Sequence, residues 1–117
     1  MSQRKTSISA SPYTVEMELI VCDDLAKANL KGDTPRNLED AGGAVVFYDG
    51  CLSILLKKSL LDHDTIAHEC FHATHFILNY CGVRFKVSDR HEAFAYFNGY
   101  LNNAVYKQLK KWKIRIK

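Results

Sequence analysis

The sequence predicts a small α+β domain, and three observations support this fold class. Asp49–Gly50 separates two apolar runs, as a type I′ hairpin requires, because both central residues of that turn take positive φ. Residues 59–82 and 89–111 carry apolar side chains at helical spacing. Residues 13–23 alternate in part and are rich in β-branched side chains, which favours a strand. The expected order is a strand, a short helix, two hairpin strands and two longer helices.

Local signals set the limits of the remaining elements. A short helix is expected over residues 24–33, followed by a loop over 34–43 that contains proline and a glycine pair. Ser59 or Asp62 can cap the first long helix, and Gly82 is placed to end it. The stretch "RFKVS" before the last helix fits either a strand or an extended loop.

Composition favours one globular domain. The chain has 117 residues, of which 47% are hydrophobic and 25% charged, as in ordinary globular proteins. We expect a disordered lead-in at 1–12, one domain at 13–112 and a basic tail at 113–117. No run of about eighteen apolar residues exists, which excludes a membrane-spanning helix.

The cellular location follows from the N-terminus and the cysteines. The polar, serine-rich start does not have the pattern of a secretory signal. The four cysteines form no CxxC pair, so free thiols in a reducing cytosol are expected. The predicted location is the cytoplasm.

Charge is unevenly distributed along the chain. Residues 107–117 carry six positive charges and no acid, whereas residues 13–106 hold 8 basic and 13 acidic groups. A solvated terminus is the ordinary interpretation of such a tail, and the tail is the only hint of a nucleic-acid partner.

The densest group of titratable side chains lies in "AHECFHATH", residues 67–75. On a helix, His68, His72 and His75 fall within roughly 60° of one another, opposite an apolar face. His68 and His72 can present two nitrogens to one metal ion, with Glu69 about 100° round the helix beside it. This is the HExxH arrangement of two zinc ligands and a general base. The alternative is a solvated face that is rich in histidine.

The motif, together with a glutamate on the next helix, resembles the gluzincin branch of zinc metallopeptidases. Glu92 lies twenty residues beyond His72, at the start of the last helix. The resemblance covers residues 43 to about 106. It implies a minimal zincin-like domain in which His68, His72 and Glu92 bind Zn²⁺ and Glu69 acts as the base.

The resemblance also implies a substrate and a source. In the family an extended peptide pairs with an edge strand of the hairpin, which we place at 51–57 of a small, mostly antiparallel sheet. The short chain is similar to small HExxH proteins encoded by bacteriophages and prophages, which points to a bacterial or phage-infected host cytosol.

The sequence departs from the family pattern in its supporting groups. Tyr96 occupies the position of an acid that orients a zinc ligand in larger members, and Asn103 could take that role instead. The group that polarises the substrate carbonyl has several candidates: His63, His75, His91, Tyr96 and Tyr100. The chain is also too short for a second lobe.

Two residues compete for the third metal position. His75 shares the histidine face but lies about 4.5 Å further along the helix axis than His72, which strains coordination of one ion, so we favour Glu92. The last helix carries its apolar stripe about 160° from Glu92. Small residues on the Glu92 side (Ala95 and Gly99) suggest packing on that face as well.

Three functions are compatible with the motif, the resemblance and the charge distribution. The first is a zinc metallopeptidase or amide hydrolase that uses a metal-activated water with Glu69 as base. The second is a zincin-fold binding or regulatory module, acting on a host protein, whose metal is structural or vestigial. The third is a nucleic-acid-associated protein that uses the basic tail, which we rank last.

Overall fold

The computed structural model describes residues 3–28, 41–84 and 91–117. It confirms the α+β class: a four-stranded mixed sheet packs against two helices. The strands are β1 Gln3–Ser7, β2 Glu16–Cys22, β3 Gly43–Tyr48 and β4 Cys51–Lys57. The helices are α1 His63–Tyr80 and α2 Glu92–Lys111, and short 3₁₀ turns form at Leu25–Lys27 and Lys58–Leu60.

The sheet has the strand order β1-β2-β4-β3. β2 and β4 run parallel in its centre, and β1 and β3 flank them in antiparallel pairings. The predicted hairpin is confirmed, since Asp49 and Gly50 have φ of 49° and 76° between β3 and β4. The positive φ of both residues is what gives this turn the twist of the flanking strands.

Both faces of the sheet are covered. The helices lie over the face that carries Leu19, Leu52 and Ile54, all fully buried in the main core. On the opposite face, Ile20 and Leu55 belong to a second, smaller cluster. A sheet buried on both sides explains why β4 reads as a continuous apolar run rather than an alternating one.

α1 starts and stops where its caps predict. The Asp62 carboxylate accepts a hydrogen bond of 2.7 Å from the Thr65 amide, which identifies Asp62 as the cap. Ser59 lies earlier, in the 3₁₀ turn. At the other end Gly82 has φ 80°, and the Val83 amide donates to the Leu78 carbonyl over 2.8 Å. This is the glycine-terminated stop that the sequence predicted.

α2 buries one face only. The predicted apolar stripe faces the core, with Phe94, Phe97, Leu101, Val105 and Leu109 buried. The prediction of packing on the Glu92 side is wrong, because Glu92 and Ala95 are exposed and a Cβ added at Gly99 would meet open space. The sheet and α1 both lie on the apolar side of α2. The described segment from Ser9 to Tyr13 lies along its flank, where it lines a cavity with Tyr96 and Tyr100, and leaves Glu92 and Gly99 uncovered.

The described residues near both termini are ordered parts of the domain. The prediction of a disordered lead-in over 1–12 is wrong for residues 3–12, because β1 pairs with β2 and the Ile8 amide donates to the Met17 carbonyl. Residues 1 and 2 lie outside the described ranges. The residues after α2, expected to form a solvated tail, pack against the core through the half-buried Ile114 and Ile116. The apolar residues of these segments are the ones that join the core: Ala10 and Ile8 near the N-terminus, and Ile114 and Ile116 after α2.

Some predictions fall on parts of the chain that the structure does not describe. The 3₁₀ turn Leu25–Lys27 occupies the start of the expected short helix, and residues 29–40 lie outside the described ranges. Residues 85–90, with most of "RFKVS" and the predicted start of the last helix, do so too. None of the described helices is long and apolar enough to cross a membrane.

Candidate functional site

His68 and His72 meet on the exposed face of α1. Their Nε2 atoms are 3.1 Å apart, and the ring centroids are 4.6 Å apart at an interplanar angle of 76°. At least one of the two nitrogens must be unprotonated to accept the other's hydrogen. Two imidazole nitrogens on one tetrahedral zinc ion, each at 2.0–2.1 Å, are separated by about 3.3–3.4 Å. The pair is therefore close to the separation that a shared metal ion requires.

Glu69 lies beside this pair, between α1 and β3. Its side chain is buried, and a Cβ added at Gly43 would be only 2.9 Å from the Glu69 Cγ. Burial raises the pKa of the Glu69 carboxyl, and the neighbouring His68 and His72 oppose this shift without cancelling it. A carboxyl with a raised pKa holds a proton more readily than an exposed glutamate does.

α1 runs alongside β3 for most of its length. Beyond Glu69, the Phe47 ring of β3 lies 6.3 Å from the Phe76 ring and 4.8 Å from the Tyr80 ring, measured between centroids. The outward side chains of Phe76 and Tyr80 are 45% and 59% exposed. The side of α1 that carries Glu69 thus continues into an aromatic surface beside β3.

The strand beside the site differs from the predicted one. Residues 51–57 form β4, which pairs with β2 on one side and β3 on the other. A peptide cannot add to a strand whose two neighbours are already in place, so the prediction for 51–57 is wrong. Among the residues that the structure describes, β3 is the terminal strand of the sheet on that side. The sequence identified the hairpin correctly but could not tell which of its strands faces the edge, because β2 comes from far away in the chain.

Glu92 is not grouped with the histidine pair. In the described ranges no three His, Cys, Asp or Glu side chains form a cluster that could hold a metal ion. The helices are antiparallel, with His63 against Tyr106 and His75 against Phe94. Phe94 is thus already beyond the level of His72, and Glu92 lies further on, exposed at the first residue of α2.

The candidate supporting groups are spread over the molecule. Tyr96 and Asn103 are exposed on the outer side of α2. The Tyr100 hydroxyl donates to the Ser9 carbonyl over 2.5 Å, and His63 Nδ1 lies 2.7 Å from the hydroxyl of Tyr106. These interactions involve parts of the fold other than the His68–His72 pair.

His75 lies next to the pair but in a different environment. Its ring is between those of Phe71 and Phe94, with centroid distances of 4.4 Å and 4.8 Å. Burial lowers the pKa of His75, and the nearby His72 and His91 lower it further. The lowered pKa of His75 favours the neutral imidazole between the two aromatic rings.

His75 also lines a pocket that the sequence analysis did not find. The pocket has a volume of about 260 Å³ and is lined by Phe71, Thr74, His75, His91, Phe94, Ala95 and Asn98. The Thr74 hydroxyl donates to Asn98 Oδ1 over 3.3 Å, joining α1 to α2 at its base. Asn98 is a polar residue on the side of α2 that faces α1, and its presence there was the sequence signal that could have predicted the contact with Thr74.

No protein-family model, no curated protein and no solved structure matches this chain. The functional assignment therefore depends on the residues and geometry described above.

Proposed function

We propose that the protein is a zinc-dependent hydrolase of peptide or other amide bonds, with His68 and His72 as metal ligands and Glu69 as general base. The observation that carries the proposal is the 3.1 Å separation of the two Nε2 atoms beside a buried carboxyl. Exposed histidines one turn apart would be free to point away from each other. These two converge.

The role of Glu69 follows from its surroundings. A zinc ion held by the pair would acidify water and polarise a carbonyl oxygen. Glu69 would accept the proton from that water and return it to the leaving amine. Its raised pKa supports this assignment, since a base works best when its pKa approaches the working pH. The buried position beside β3 holds the carboxyl in place for both transfers.

The proposed substrate is an extended peptide that adds to β3. A terminal strand offers unpaired backbone groups to such a peptide. The exposed rings of Phe76 and Tyr80 offer apolar contacts next to that edge. We place this activity in the cytosol of a bacterial or phage-infected host cell, as the similarity to small phage-encoded HExxH proteins implies.

The two-histidine site requires further ligands. The family resemblance assigns the third position to Glu92, and water or substrate oxygen would complete the coordination. Mixed nitrogen and oxygen ligands of this kind suit zinc or a similar divalent ion.

The experiment that tests the proposal measures metal content and hydrolysis together. Purified protein should hold one zinc ion per chain, and His68→Ala and His72→Ala should abolish zinc binding. His75→Ala is the matched control, because it removes an imidazole from the same helix face and should leave zinc content unchanged. Equal loss of zinc in all three variants would contradict the assignment and indicate a three-histidine site.

Glu69→Gln separates catalysis from metal binding. It should keep the zinc and the fold while lowering the rate of hydrolysis by about 10²–10⁴-fold, the usual contribution of a positioned general base. Unchanged hydrolysis in this variant would overturn the role of Glu69.

A second candidate function is a binding or regulatory module with a structural or vestigial metal. The exposure of Glu92 away from the pair favours it, since the described ligands then number only two. In that case Glu69→Gln would retain the full biological effect while His72→Ala would lose it. The proposed hydrolase requires both variants to lose it.

A further inference from the structure

The C-terminal segment presents a row of positive charges in fixed positions. From Lys111 to Lys117 exposed and half-buried residues alternate. Trp112, Ile114 and Ile116 pack against the core, so the cationic side chains between them point to solvent. The Lys117 amide donates to the Leu61 carbonyl over 2.9 Å, which attaches the end of the chain to the body.

Two cations from elsewhere in the sequence join this row. Arg4 of β1 and Lys58 of the second 3₁₀ turn line a cavity of about 220 Å³ together with Lys113, and Trp112 forms part of its wall. Lys58 also lines a neighbouring cavity of about 430 Å³ with Arg115 and Lys117. Lys58 lines both cavities, so the two lie side by side. We call the five side chains the basic surface: Arg4, Lys58, Lys113, Arg115 and Lys117.

The charges of the basic surface are largely uncompensated. In the described chain the ion pair is formed by Lys5 and Glu18, and no residue of the basic surface takes part in it. Asp23 lines the larger cavity, and Asp62 lies close enough to Lys117 to interact electrostatically. Five cations against these two acids leave a net positive surface in a body whose residues 13–106 are net acidic.

The backbone of Lys113 adds a separate observation. Lys113 follows the end of α2 with φ 58°, a conformation that favours glycine and costs other residues about 1–2 kcal/mol. The conformation directs the chain back along the body and places a cation in the smaller cavity. A strained backbone conformation of this kind occurs more often at functional positions than elsewhere, and here it lies next to two other cations that line the same cavity.

We propose that the basic surface binds the backbone of single-stranded nucleic acid, independently of the metal centre. Non-specific binders of single strands combine a positively charged groove with an aromatic ring on which a base stacks. The two adjacent cavities supply the groove, and the indole of Trp112 supplies a ring in the wall of the smaller one. The packing of the C-terminal segment on the body makes it a better candidate for a binding surface than a solvated tail would be. Its cations, together with Arg4 and Lys58, are held in place before any ligand binds.

The salt dependence of binding tests the number of contacts. The probe is a fluorescein-labelled oligothymidylate of about 15 nucleotides, within the site sizes of single-strand binders. Its affinity for the full chain is measured by anisotropy over a range of KCl concentrations, with and without EDTA. With five contacts, the slope of log Kobs against log salt should be about −3.5, at about −0.7 per phosphate. EDTA should not change it, which separates this proposal from the proposed hydrolase.

Matched substitutions test the location of the site. Arg4→Gln combined with Lys58→Gln should weaken binding and reduce the magnitude of the slope by about 1.4. Arg4→Lys should retain most of the affinity, because it keeps the charge. Arg84→Gln is the control: Arg84 is an exposed arginine just after the Gly82 end of α1, at the opposite end of that helix from Lys58. Its loss changes the net charge as Arg4→Gln does and should leave binding unchanged.

Tryptophan fluorescence supplies an independent readout, since Trp112 is the single tryptophan of the chain. Oligothymidylate should quench it, whereas inorganic phosphate at the same ionic strength should not. Equal weakening by Arg4→Gln and Arg84→Gln would overturn the proposal. So would equally tight binding of polyglutamate or of vesicles containing phosphatidylserine, because the surface would then recognise negative charge in general.

Discussion

Gly43 sets how closely the proposed base can pack beside β3. A Cβ at this position would lie 2.9 Å from both the Glu69 Cγ and the Leu55 carbonyl oxygen. The first contact is with a side chain, but the second is with the backbone of the central strand β4. A glycine at residue 43 therefore allows Glu69 to be buried against the sheet.

Gly43→Ala is expected to destabilise the fold by about 1–3 kcal/mol, the usual cost of overpacking a tight site. Gly99→Ala is the matched control. A Cβ there meets open space within a helix, so alanine should stabilise the protein by about 0.5–1 kcal/mol. Urea denaturation of both variants measures these changes. Equal stability of the two variants would contradict the close packing of Glu69.

Cys70 provides a pH-dependent prediction at the residue scale. Burial raises the pKa of the Cys70 thiol to about 12, with a smaller contribution from Glu69. Because this pKa is higher in the folded state than in the unfolded state, the buried neutral thiol contributes to the free energy of unfolding. The contribution is fully present below the unfolded-state pKa of about 8.5 and is lost as the pH rises towards 12. Alkylation by iodoacetamide at pH 9, followed by mass spectrometry, should modify the exposed Cys81 and spare Cys70. Rapid modification of both would show that the interior of α1 opens readily.

At the scale of elements, β3 decides where a peptide could bind. In an antiparallel pair, alternate residues direct their backbone groups to the partner strand or away from it. Of the adjacent Val45 and Val46, one therefore bonds to β4 and the other has its amide on the outer edge.

Proline substitutions at these two positions should have opposite consequences. Proline at the residue bonded to β4 should unfold the protein, since it removes a ladder hydrogen bond. Proline at the other should preserve the fold and weaken binding of an extended peptide. Thermal denaturation by circular dichroism and peptide anisotropy measure the two effects. Retained peptide binding in the folded proline variant would exclude β3 as the docking strand.

The alignment of the two helices determines how far Glu92 lies from the histidine pair. The contacts of His63 with Tyr106 and of His75 with Phe94 fix their antiparallel alignment. In this alignment Glu92 does not join His68 and His72. The family resemblance therefore predicts that Glu92 is a metal ligand, whereas the observed packing predicts that it is not.

At the scale of the whole molecule, zinc should stabilise the folded state. A ligand that binds only the native protein at 100 times its Kd adds about 2.7 kcal/mol. The rise in Tm with zinc should disappear in His68→Ala and decline in acid, because protonated imidazole cannot bind metal. Glu92→Gln decides between the two expectations. An unchanged zinc-dependent rise would match the observed packing, and its loss would support Glu92 as ligand.

The sequence by itself determined the elements whose signals are local. The Asp49–Gly50 turn, the Asp62 cap and the Gly82 stop depend on backbone preferences of a few neighbouring residues, and each is present as predicted. The convergence of His68 and His72 is also local, because one helical turn separates them.

The tertiary structure decided every feature that joins distant segments. β2 occupies one side of β4 and leaves β3 at the edge, β1 takes up the expected lead-in, and Arg4 meets Lys58 beside the C-terminal row. The position of Glu92 depends in the same way on how α2 slides along α1. These outcomes follow from burying apolar surface from the whole chain at once. Neither periodicity nor spacing within one segment specifies which distant segment supplies its neighbour.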